Sequence, residues 1–348
     1  CNIQIMRVPK EYLIYLLFPL ALIYWGVVYW RNWFYRYGFF VSRHLPCQVI
    51  SIGNITAGGT GKTPTTIFIA QYLKKGGKRV AILSRGYGRK TKGTLLVSEG
   101  KGPKCNWTEC GDEPYLIAKK ICDVPIVVDE DRYRGGTFLM EKFNPEIILL
   151  DDGFQHRAID RDLDLVLVNG GDKTADHKLL PYGYLREPWT NIQRADAITI
   201  TKVNLKKPKS FLVRKIRETN KPLLFATANV FLSEFNTEKH LTINNLVGKN
   251  VFAVSALGDK AGFELTVKLT GGLICGQISF PDHHEYNQHE WDDVESQVRK
   301  TKSEYIITTE KDWVKMMSVN VTLSIIVLGL DMNLYPVKKV EKLLSRFL

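Results

Sequence analysis

The chain has 348 residues, with 45% hydrophobic and 24% charged residues, a composition that excludes a disordered chain and a length that predicts two domains. Its six cysteines are scattered over the whole sequence, which excludes a small disulfide-stapled scaffold. A formal net charge of +12 at pH 7 favours acidic partners such as phosphates, nucleic acid or an anionic membrane surface.

The first predicted element is an uncharged, aromatic-rich segment at residues 12–30, YLIYLLFPLALIYWGVVYW. As a helix it would extend roughly 28 Å, close to the roughly 30 Å hydrocarbon core of a bilayer. Pro19 is expected to kink this helix, and its Tyr and Trp residues favour the membrane interface. The segment predicts a membrane anchor, either a short span or a helix within one leaflet.

Two alternatives to an anchor are a secretory signal peptide and a buried helix of a soluble protein. A signal peptide is disfavoured because no small-residue cleavage site follows the apolar run. The chain continues instead with an aromatic and basic flank, including Arg31, Arg36 and Arg43, which fits anionic headgroups on the cytoplasmic side of a membrane. Residues 1–43 are therefore predicted to form a membrane anchor and its flank.

From residue 48 onward, short apolar runs alternate with stretches of helical periodicity. Because the runs are continuous rather than alternating, they predict strands covered on both faces. The predicted fold class is α/β, with a doubly wound, mainly parallel P-loop sheet after the membrane-anchoring helix. The runs lie at residues 48–52, 79–83, 124–128, 146–150, 164–168, 197–201 and 222–226.

A smaller second α/β domain is predicted over residues 231–332, where NVFAVSAL, LICGQISF and EYIITTEKD follow a polar stretch. The run LSIIVLGLDM (323–332) is expected to pair with LLFATANVF as a two-stranded link. The P-loop nucleotide-binding domain is then predicted to occupy residues 44–230, with residues 333–348 returning to it.

The stretch SIGNITAGGTGKTP at residues 51–64 has the strand, glycine turn, Lys-Thr pair and helix of a phosphate-binding loop. Its glycines permit backbone N–H groups to approach phosphates, Lys62 would reach the β- and γ-phosphate oxygens, and Thr63 would hold Mg²⁺. The strict pattern requires glycine where this chain has threonine. The predicted nucleotide-binding residues are Thr56, Ala57, Gly58, Gly59, Thr60, Gly61, Lys62 and Thr63.

Two carboxylates, Asp151 and Asp152, end the predicted strand in EIILLDDGFQH. A strand that ends in acidic residues can place carboxylates next to a phosphate-bound Mg²⁺. Together with Thr63, they are the predicted metal ligands.

Two other nucleotide-binding classes fit the loop less well. Membrane-associated switch ATPases with a K-G-G-x-G-K-T loop need a lysine where this chain has Ala57. A GTPase would read its base with T-K-x-D, whereas TKVN at residues 201–204 has Asn204 in place of the aspartate.

A kinase needs a group that orients and deprotonates an acceptor hydroxyl. GDEP (111–114) offers Asp112, and FPDHHEY (280–286) offers Asp282 and His283. Simpler interpretations remain open, since Asp112 could be only a helix cap and the histidine pair a surface loop or two metal ligands. Basic stretches add candidate phosphate contacts, each of which could also be a solvated surface arginine: Arg85, Arg89, Arg132, Arg134 and Arg186.

These motifs resemble, in order, those of the tetraacyldisaccharide 4'-kinase family. They are SIGNITAGGTGKTP, LSRGYGR, GDEP, DDGFQH, LLPYGYLREP, FPDHHEY and TTEKD, and they run from the anchor to about residue 315. The family's loop also lacks glycine at its first position. The resemblance implies a monotopic enzyme on the cytoplasmic face of the bacterial inner membrane. That enzyme transfers the γ-phosphoryl group of ATP to the 4'-hydroxyl of an acylated glucosamine disaccharide 1-phosphate, which forms lipid IVA in lipid A biosynthesis.

The resemblance also implies roles for matched residues. Lys62 and Thr63 would bind ATP and Mg²⁺, Asp112 would act as the catalytic base with His283, and Asp282 matches a motif position. The implied partners are the lipid substrate and the membrane surface, with no nucleic acid and no required protein partner. The chain departs from the family pattern at SALGDKAGF (255–263) and in LLPYGYLREP, which concerns the substrate side. The alternative function is a membrane-associated P-loop NTPase switch that acts on a protein partner.

Overall fold

The computed structural model describes residues 17–235 and 240–348. Within these ranges the α-helices are α1 (Phe18–Arg36), α2 (Lys62–Lys75), α3 (Trp107–Cys110), α4 (Asp112–Lys120), α5 (Arg132–Phe143), α6 (Ser210–Arg217), α7 (Lys260–Leu269), α8 (Gln288–Lys300), α9 (Glu310–Met316) and α10 (Val337–Leu344). The strands are β1 (Gln48–Asn54), β2 (Val80–Ser84), β3 (Leu95–Ser98), β4 (Ile126–Val128), β5 (Ile147–Asp151), β6 (Leu163–Asn169), β7 (Ala197–Thr201), β8 (Leu223–Glu234), β9 (His240–Leu241), β10 (Asn250–Ser255), β11 (Leu273–Ser279), β12 (Tyr305–Thr309) and β13 (Ile325–Tyr335).

All of these strands belong to one sheet, in the order β11-β10-β12-β13-β8-β7-β6-β1-β5-β2-β4-β3, with β9 paired to β8. Neighbouring strands are parallel except at β3–β4, β8–β13 and β8–β9. The prediction of an α/β fold with a mainly parallel sheet is confirmed. Helices follow most parallel strands because a parallel crossover needs a connection long enough to return to the same end of the sheet.

Successive apolar residues of the central strands pack on opposite faces of the sheet. In β5, Ile147 and Leu149 join a core with α2, α4 and α10, whereas Ile148 and Leu150 join a core with α5. Strand side chains alternate between the two faces, so a continuous apolar run is buried only if both faces are covered. Helices α2 and α4 cover the same face of the sheet, and residues of both line the cleft described below.

The strands β10–β13 continue the same sheet through the antiparallel pair β8–β13. Their register runs without interruption from Glu234 opposite Ile326 to Phe225 opposite Tyr335. The expected pairing of residues 323–332 with LLFATANVF is therefore confirmed. The division into domains at residues 44–230 and 231–332 remains a prediction. We call β1–β8 the N-terminal half of the sheet and β10–β13 the C-terminal half.

Helix α1 differs from the predicted anchor in position and shape. It continues to Arg36, into the predicted flank, and residues 12–16 of the apolar run lie outside the described residues. The prediction that Pro19 kinks the helix is wrong, because Pro19 lies in its first turn, where no backbone N–H is needed and the fixed φ suits a helix. No helix in the described ranges is long and apolar enough to cross a membrane.

One face of α1 is attached to the protein and another is exposed. The Tyr24 hydroxyl donates a 2.7 Å hydrogen bond to the carbonyl of Arg186, and Arg31 lies 3.1 Å from the buried carboxylate of Glu187. Asn32 donates to the same carboxylate at 3.0 Å. We define the apolar surface of α1 as its large exposed side chains: Phe18, Leu20, Leu22, Ile23, Trp25, Val27, Tyr29 and Trp30.

Candidate active site

A loop of residues 56–63, here called the glycine loop, connects β1 to α2 at the carboxyl end of the sheet. Gly58 and Gly61 have φ angles of +114° and +81°, which L-residues with a side chain rarely adopt. A Cβ on Gly61 would also lie 2.4 Å from Cε of Met332. The backbone of this loop therefore depends on glycine, as expected for a loop that turns its N–H groups toward a ligand.

The glycine loop forms part of a cleft of about 530 Å³ between the two halves of the sheet. Ala57 to Thr63 line this cleft, as do Asp282, His283 and Lys311 from the C-terminal half. Thr56, also predicted to bind the nucleotide, is 2% exposed, and its backbone forms a bridge with Leu185. The structure thus places Thr56 behind the wall of the cleft, where it supports the loop.

The two predicted metal-ligating aspartates have different surroundings. Asp151 is buried and accepts hydrogen bonds of 3.2 Å from the hydroxyls of Thr66 and Ser84. Burial, with the negative charges of Glu113 and Asp152, raises the pKa of Asp151 to about 7. Asp151 therefore lies behind the cleft wall and fixes the start of α2 against β2.

Asp152 faces the cleft, because its φ of +52° turns the chain away from the direction of β5. Its carboxylate lies 2.9 Å from Nη1 of Arg186 and 3.8 Å from Nζ of Lys62. Burial would raise the pKa of Asp152, but the charges of Lys62 and Arg186 outweigh burial and lower it. Asp152 and the hydroxyl of Thr63 offer the oxygen atoms that Mg²⁺ prefers, so these residues fit a phosphate-bound magnesium ion.

Asp112 and His283 meet across the two halves of the sheet, although 171 positions separate them. Asp112 is the first residue of α4 and is 4% exposed, and its carboxylate lies 3.1 Å from Nδ1 of His283. Burial opposes ionisation of Asp112, but the hydrogen bond with His283 and the charge of Lys311 outweigh it and lower the pKa of Asp112. An ionised carboxylate held by an imidazole is suited to accept a proton.

Asp282 lies beside this pair and is more exposed. Its Oδ1 accepts a 3.0 Å hydrogen bond from the backbone N–H of His283, and its Oδ2 lies 3.9 Å from Nε2 of the same imidazole. The backbone of His283 has a φ of +61°, a strained conformation for histidine. Asp282 thus helps to hold the ring of His283 toward Asp112.

Sequence reasoning did not single out two charged residues of this site, Glu113 and Lys311. Nζ of Lys311 lies 2.9 Å from Glu113, 4.0 Å from Asp112 and 3.9 Å from Asp282. We call these five residues the acid–base cluster: Asp112, Glu113, Asp282, His283 and Lys311. Lys311 is part of the motif TTEKD, which lies where a buried strand ends and a helix begins. That position in the sequence was the signal that could have identified Lys311 as a site residue.

Helix α4 is tied to the C-terminal half of the sheet at both ends. Lys311 pairs with Glu113 in its first turn, and Lys120 in its last turn lies 3.1 Å from both Glu310 and Asp331. Two attachments about a helix length apart limit rotation of α4. They therefore fix the position of Asp112 relative to His283.

The sheet is mainly parallel, and a glycine loop joins one of its strands to a helix. This loop borders a cleft that also contains an acid–base pair. Together these features define a nucleotide-dependent phosphotransferase. Comparison with known proteins identifies the family. The model of the tetraacyldisaccharide-1-P 4'-kinase family matches residues 13–348, and the chain belongs to this family. The resemblance seen in the sequence motifs is thereby confirmed.

Individual relatives cover almost the whole chain. The tetraacyldisaccharide 4'-kinase of Aquifex aeolicus is 39% identical over 95% of this chain and 98% of its own length. The corresponding kinase of Syntrophus aciditrophicus is 35% identical over 94% of this chain and 91% of its own length. A crystal structure of LpxK from Aquifex aeolicus, described as an apo form in complex with ATP, superimposes with a TM-score of 0.77 at 37% identity, covering 96% of this chain and 99% of that one.

Proposed function

We propose that this protein transfers the γ-phosphoryl group of ATP to the 4'-hydroxyl of a tetraacyldisaccharide 1-phosphate, forming lipid IVA in lipid A biosynthesis. The observation that carries the proposal is the 3.1 Å contact between Asp112 and His283 in a cleft that also contains the glycine loop. Hydrolysis alone needs no group that deprotonates an alcohol, whereas transfer to a sugar hydroxyl does. Family membership and the relative described with ATP support the same function.

In this proposal the glycine loop and Lys62 bind the phosphates of ATP, and Thr63 and Asp152 hold Mg²⁺. When bound, Mg²⁺ offsets the negative charge on the transferring phosphoryl group. Asp152 is favoured over Asp151 as the direct ligand because Asp152 lines the cleft and Asp151 bonds to Thr66 and Ser84.

Asp112 accepts the proton of the acceptor hydroxyl, and His283 orients the Asp112 carboxylate through Nδ1. Burial would raise the pKa of Asp112 and of Glu113 in the first turn of α4, but the nearby positive charge of Lys311 helps to lower both pKa values. Asp282 positions His283 through its backbone N–H.

The direct test uses ATP labelled in its γ-phosphate and a tetraacyldisaccharide 1-phosphate acceptor. We expect label in the lipid, and a matched acceptor that lacks the 4'-hydroxyl should take none. Release of free phosphate alone, unaffected by the acceptor, would favour the alternative of an NTPase switch that acts on a protein partner.

We further propose that the apolar surface of α1 attaches the enzyme to the cytoplasmic face of the bacterial inner membrane. Eight large apolar or aromatic side chains lie exposed on one helix, a larger apolar surface than soluble proteins usually leave open. The acceptor is a lipid, so attachment would bring the cleft to its substrate. Neither nucleic acid nor a protein partner is required by this mechanism.

Vesicles that contain anionic phospholipid test this attachment. The double substitution Ile23→Glu and Val27→Glu should lower the bound fraction, because both side chains are more than 60% exposed on α1. A control, Leu269→Glu, changes a side chain of similar exposure at the end of α7 and should leave binding unchanged. Equal loss of binding in both variants would contradict attachment through α1.

A further inference from the structure

The motif TKVN, at the end of β7, serves a purpose other than base recognition. Both polar atoms of the Asn204 amide bond to the backbone of Ala228, with Nδ2 donating at 2.9 Å and Oδ1 accepting at 2.8 Å. Asn204 therefore fastens the loop after β7 to β8. Lys202, two positions earlier, lines the cleft instead.

The chain presents Lys202 directly beside the glycine loop. The hydroxyl of Thr201 donates a 2.8 Å hydrogen bond to the carbonyl of Thr60, which ties the end of β7 to that loop. Lys202 itself has a φ of +58°, a strained conformation for lysine. Its Nζ lies 3.9 Å from the position that a Cβ on Gly59 would occupy. A positive charge is thus held close to the atoms that would contact phosphates.

In this structure the counterion of Lys202 is Asp259, 3.5 Å away on the C-terminal half of the sheet. Asp259 also caps α7 by accepting a 2.9 Å hydrogen bond from the N–H of Gly262. It belongs to the segment SALGDKAGF at residues 255–263. Burial lowers the pKa of Lys202 and the charge of Asp259 opposes that shift, so the ammonium group needs an anion at this position.

A bound nucleotide would change this balance. Its phosphates would bring several negative charges to the glycine loop, near both Lys202 and the Asp259 carboxylate. The phosphates attract the lysine and repel the carboxylate. Lys202 then has two competing anions, one from the ligand and one from the other half of the sheet.

We propose that Lys202 is a binding residue for the phosphates of ATP and that it exchanges Asp259 for phosphate when ATP binds. This inference rests on the proposed binding of ATP at the glycine loop. The exchange links occupancy of the nucleotide site to a contact between the two halves of the sheet. Asp259 acts as a competitor that weakens ATP binding.

The test measures the Kd of ATP with Mg²⁺ by calorimetry for the full chain and six variants. Lys202→Met should raise Kd by about tenfold, the scale of a lost hydrogen bond to a charged group. Lys202→Arg should restore most of the affinity because it keeps the charge. Asp259→Asn should lower Kd by about threefold, on the order of one weak charge interaction, and asparagine preserves the helix cap.

The double variant Lys202→Met, Asp259→Asn separates exchange from simple repulsion. We expect Asp259→Asn to tighten ATP binding less in this background than in the unchanged chain. Without Lys202, only the repulsion between the carboxylate and the phosphates is relieved. If Asp259→Asn tightens binding equally in both backgrounds, the exchange is refuted. Lys206→Met is the matched control, since Lys206 also lies near Asp259, at 3.8 Å, but does not line the cleft.

Thermal unfolding of each variant identifies those that are destabilised. If Lys202→Met binds ATP as the unchanged chain does, while Lys62→Met does not bind it, the inference about Lys202 is wrong and the glycine-loop site stands. If Lys62→Met also binds ATP normally, the proposed nucleotide site itself is wrong.

Discussion

The glycine loop and the acid–base cluster border the same cleft but are built differently. The glycine loop is a single stretch between β1 and α2, and its shape follows from local backbone angles at Gly58 and Gly61. The acid–base cluster joins three segments, and its central contact links residues 171 positions apart. A local structure can be recognised from consecutive residues, whereas the cluster exists only when the sheet and the attachments of α4 are complete.

The largest expected effect is at the centre of the cluster. Asp112→Asn removes the proton acceptor with little change in shape, so turnover should fall about 10²-fold or more, the scale of a general base. ATP binding should persist because the glycine loop is separate. Asp282→Asn is the control on the same cluster and should lower turnover less, since Asp282 contacts His283 only through the backbone N–H and at 3.9 Å. Normal turnover in Asp112→Asn would remove Asp112 from the mechanism.

Lys311→Met should lower turnover by about tenfold, because it leaves three carboxylates without their shared cation. It should also shift the pH dependence. His283 and Lys311 hold the pKa of Asp112 below its usual value against the effect of burial, so loss of Lys311 raises that pKa. The acidic limb of the kcat/KM profile should therefore move to higher pH. A profile that keeps its position would show that Lys311 has only a structural role.

Gly61→Ala tests the local character of the glycine loop. Alanine at a φ of +81° should lower the free energy of unfolding by about 1 kcal/mol, and the shifted loop should bind ATP more weakly. Gly77→Ala imposes similar strain, at a φ of +83° with no atom near the new Cβ, and should leave ATP binding unchanged. Denaturant unfolding and calorimetry measure the two effects. Equal ATP affinity in both variants would argue against a special backbone at Gly61.

The smallest effect is expected at another contact between the two halves of the sheet. Lys90 and Glu285 form a 3.0 Å ion pair, but both side chains are at least half exposed. Lys90→Met should therefore change stability by less than about 0.5 kcal/mol and leave turnover unchanged. A large loss of turnover would mean that contacts between the halves matter wherever they occur, and not only in the buried cluster.

Much of the sheet could be predicted because its central strands are continuous apolar runs bounded by glycine or acidic residues. The strands β3 and β9 were not predicted, since β3 is a short edge strand and β9 has only two residues. Each of these strands forms because a neighbouring strand offers backbone hydrogen bonds, and its own hydrophobic pattern is too short to predict it. The start of α1 at Phe18 was also missed, because uncharged composition does not reveal where a helix begins.

The same distinction applies to the active site. Motifs identified the glycine loop, Asp112 and His283, but they treated Asp151 and Asp152 as equivalent neighbours. The positive φ of Asp152 turns this residue toward the cleft, whereas Asp151 stays behind the cleft wall. No sequence pattern reveals that backbone angle. The roles of Lys311 and Lys202 could be inferred only from the residues that lie beside them in the fold.

The neighbouring residues Arg186 and Glu187 suggest an order of assembly for the enzyme. Arg186 reaches Asp152 in the cleft, and Glu187 holds α1 through Asn32, 155 positions earlier in the chain. Closing so long a loop is opposed by chain entropy until the central sheet has formed. Helix α1 is the first of the described helices in chain order, yet we expect it to dock on the rest of the protein late in folding.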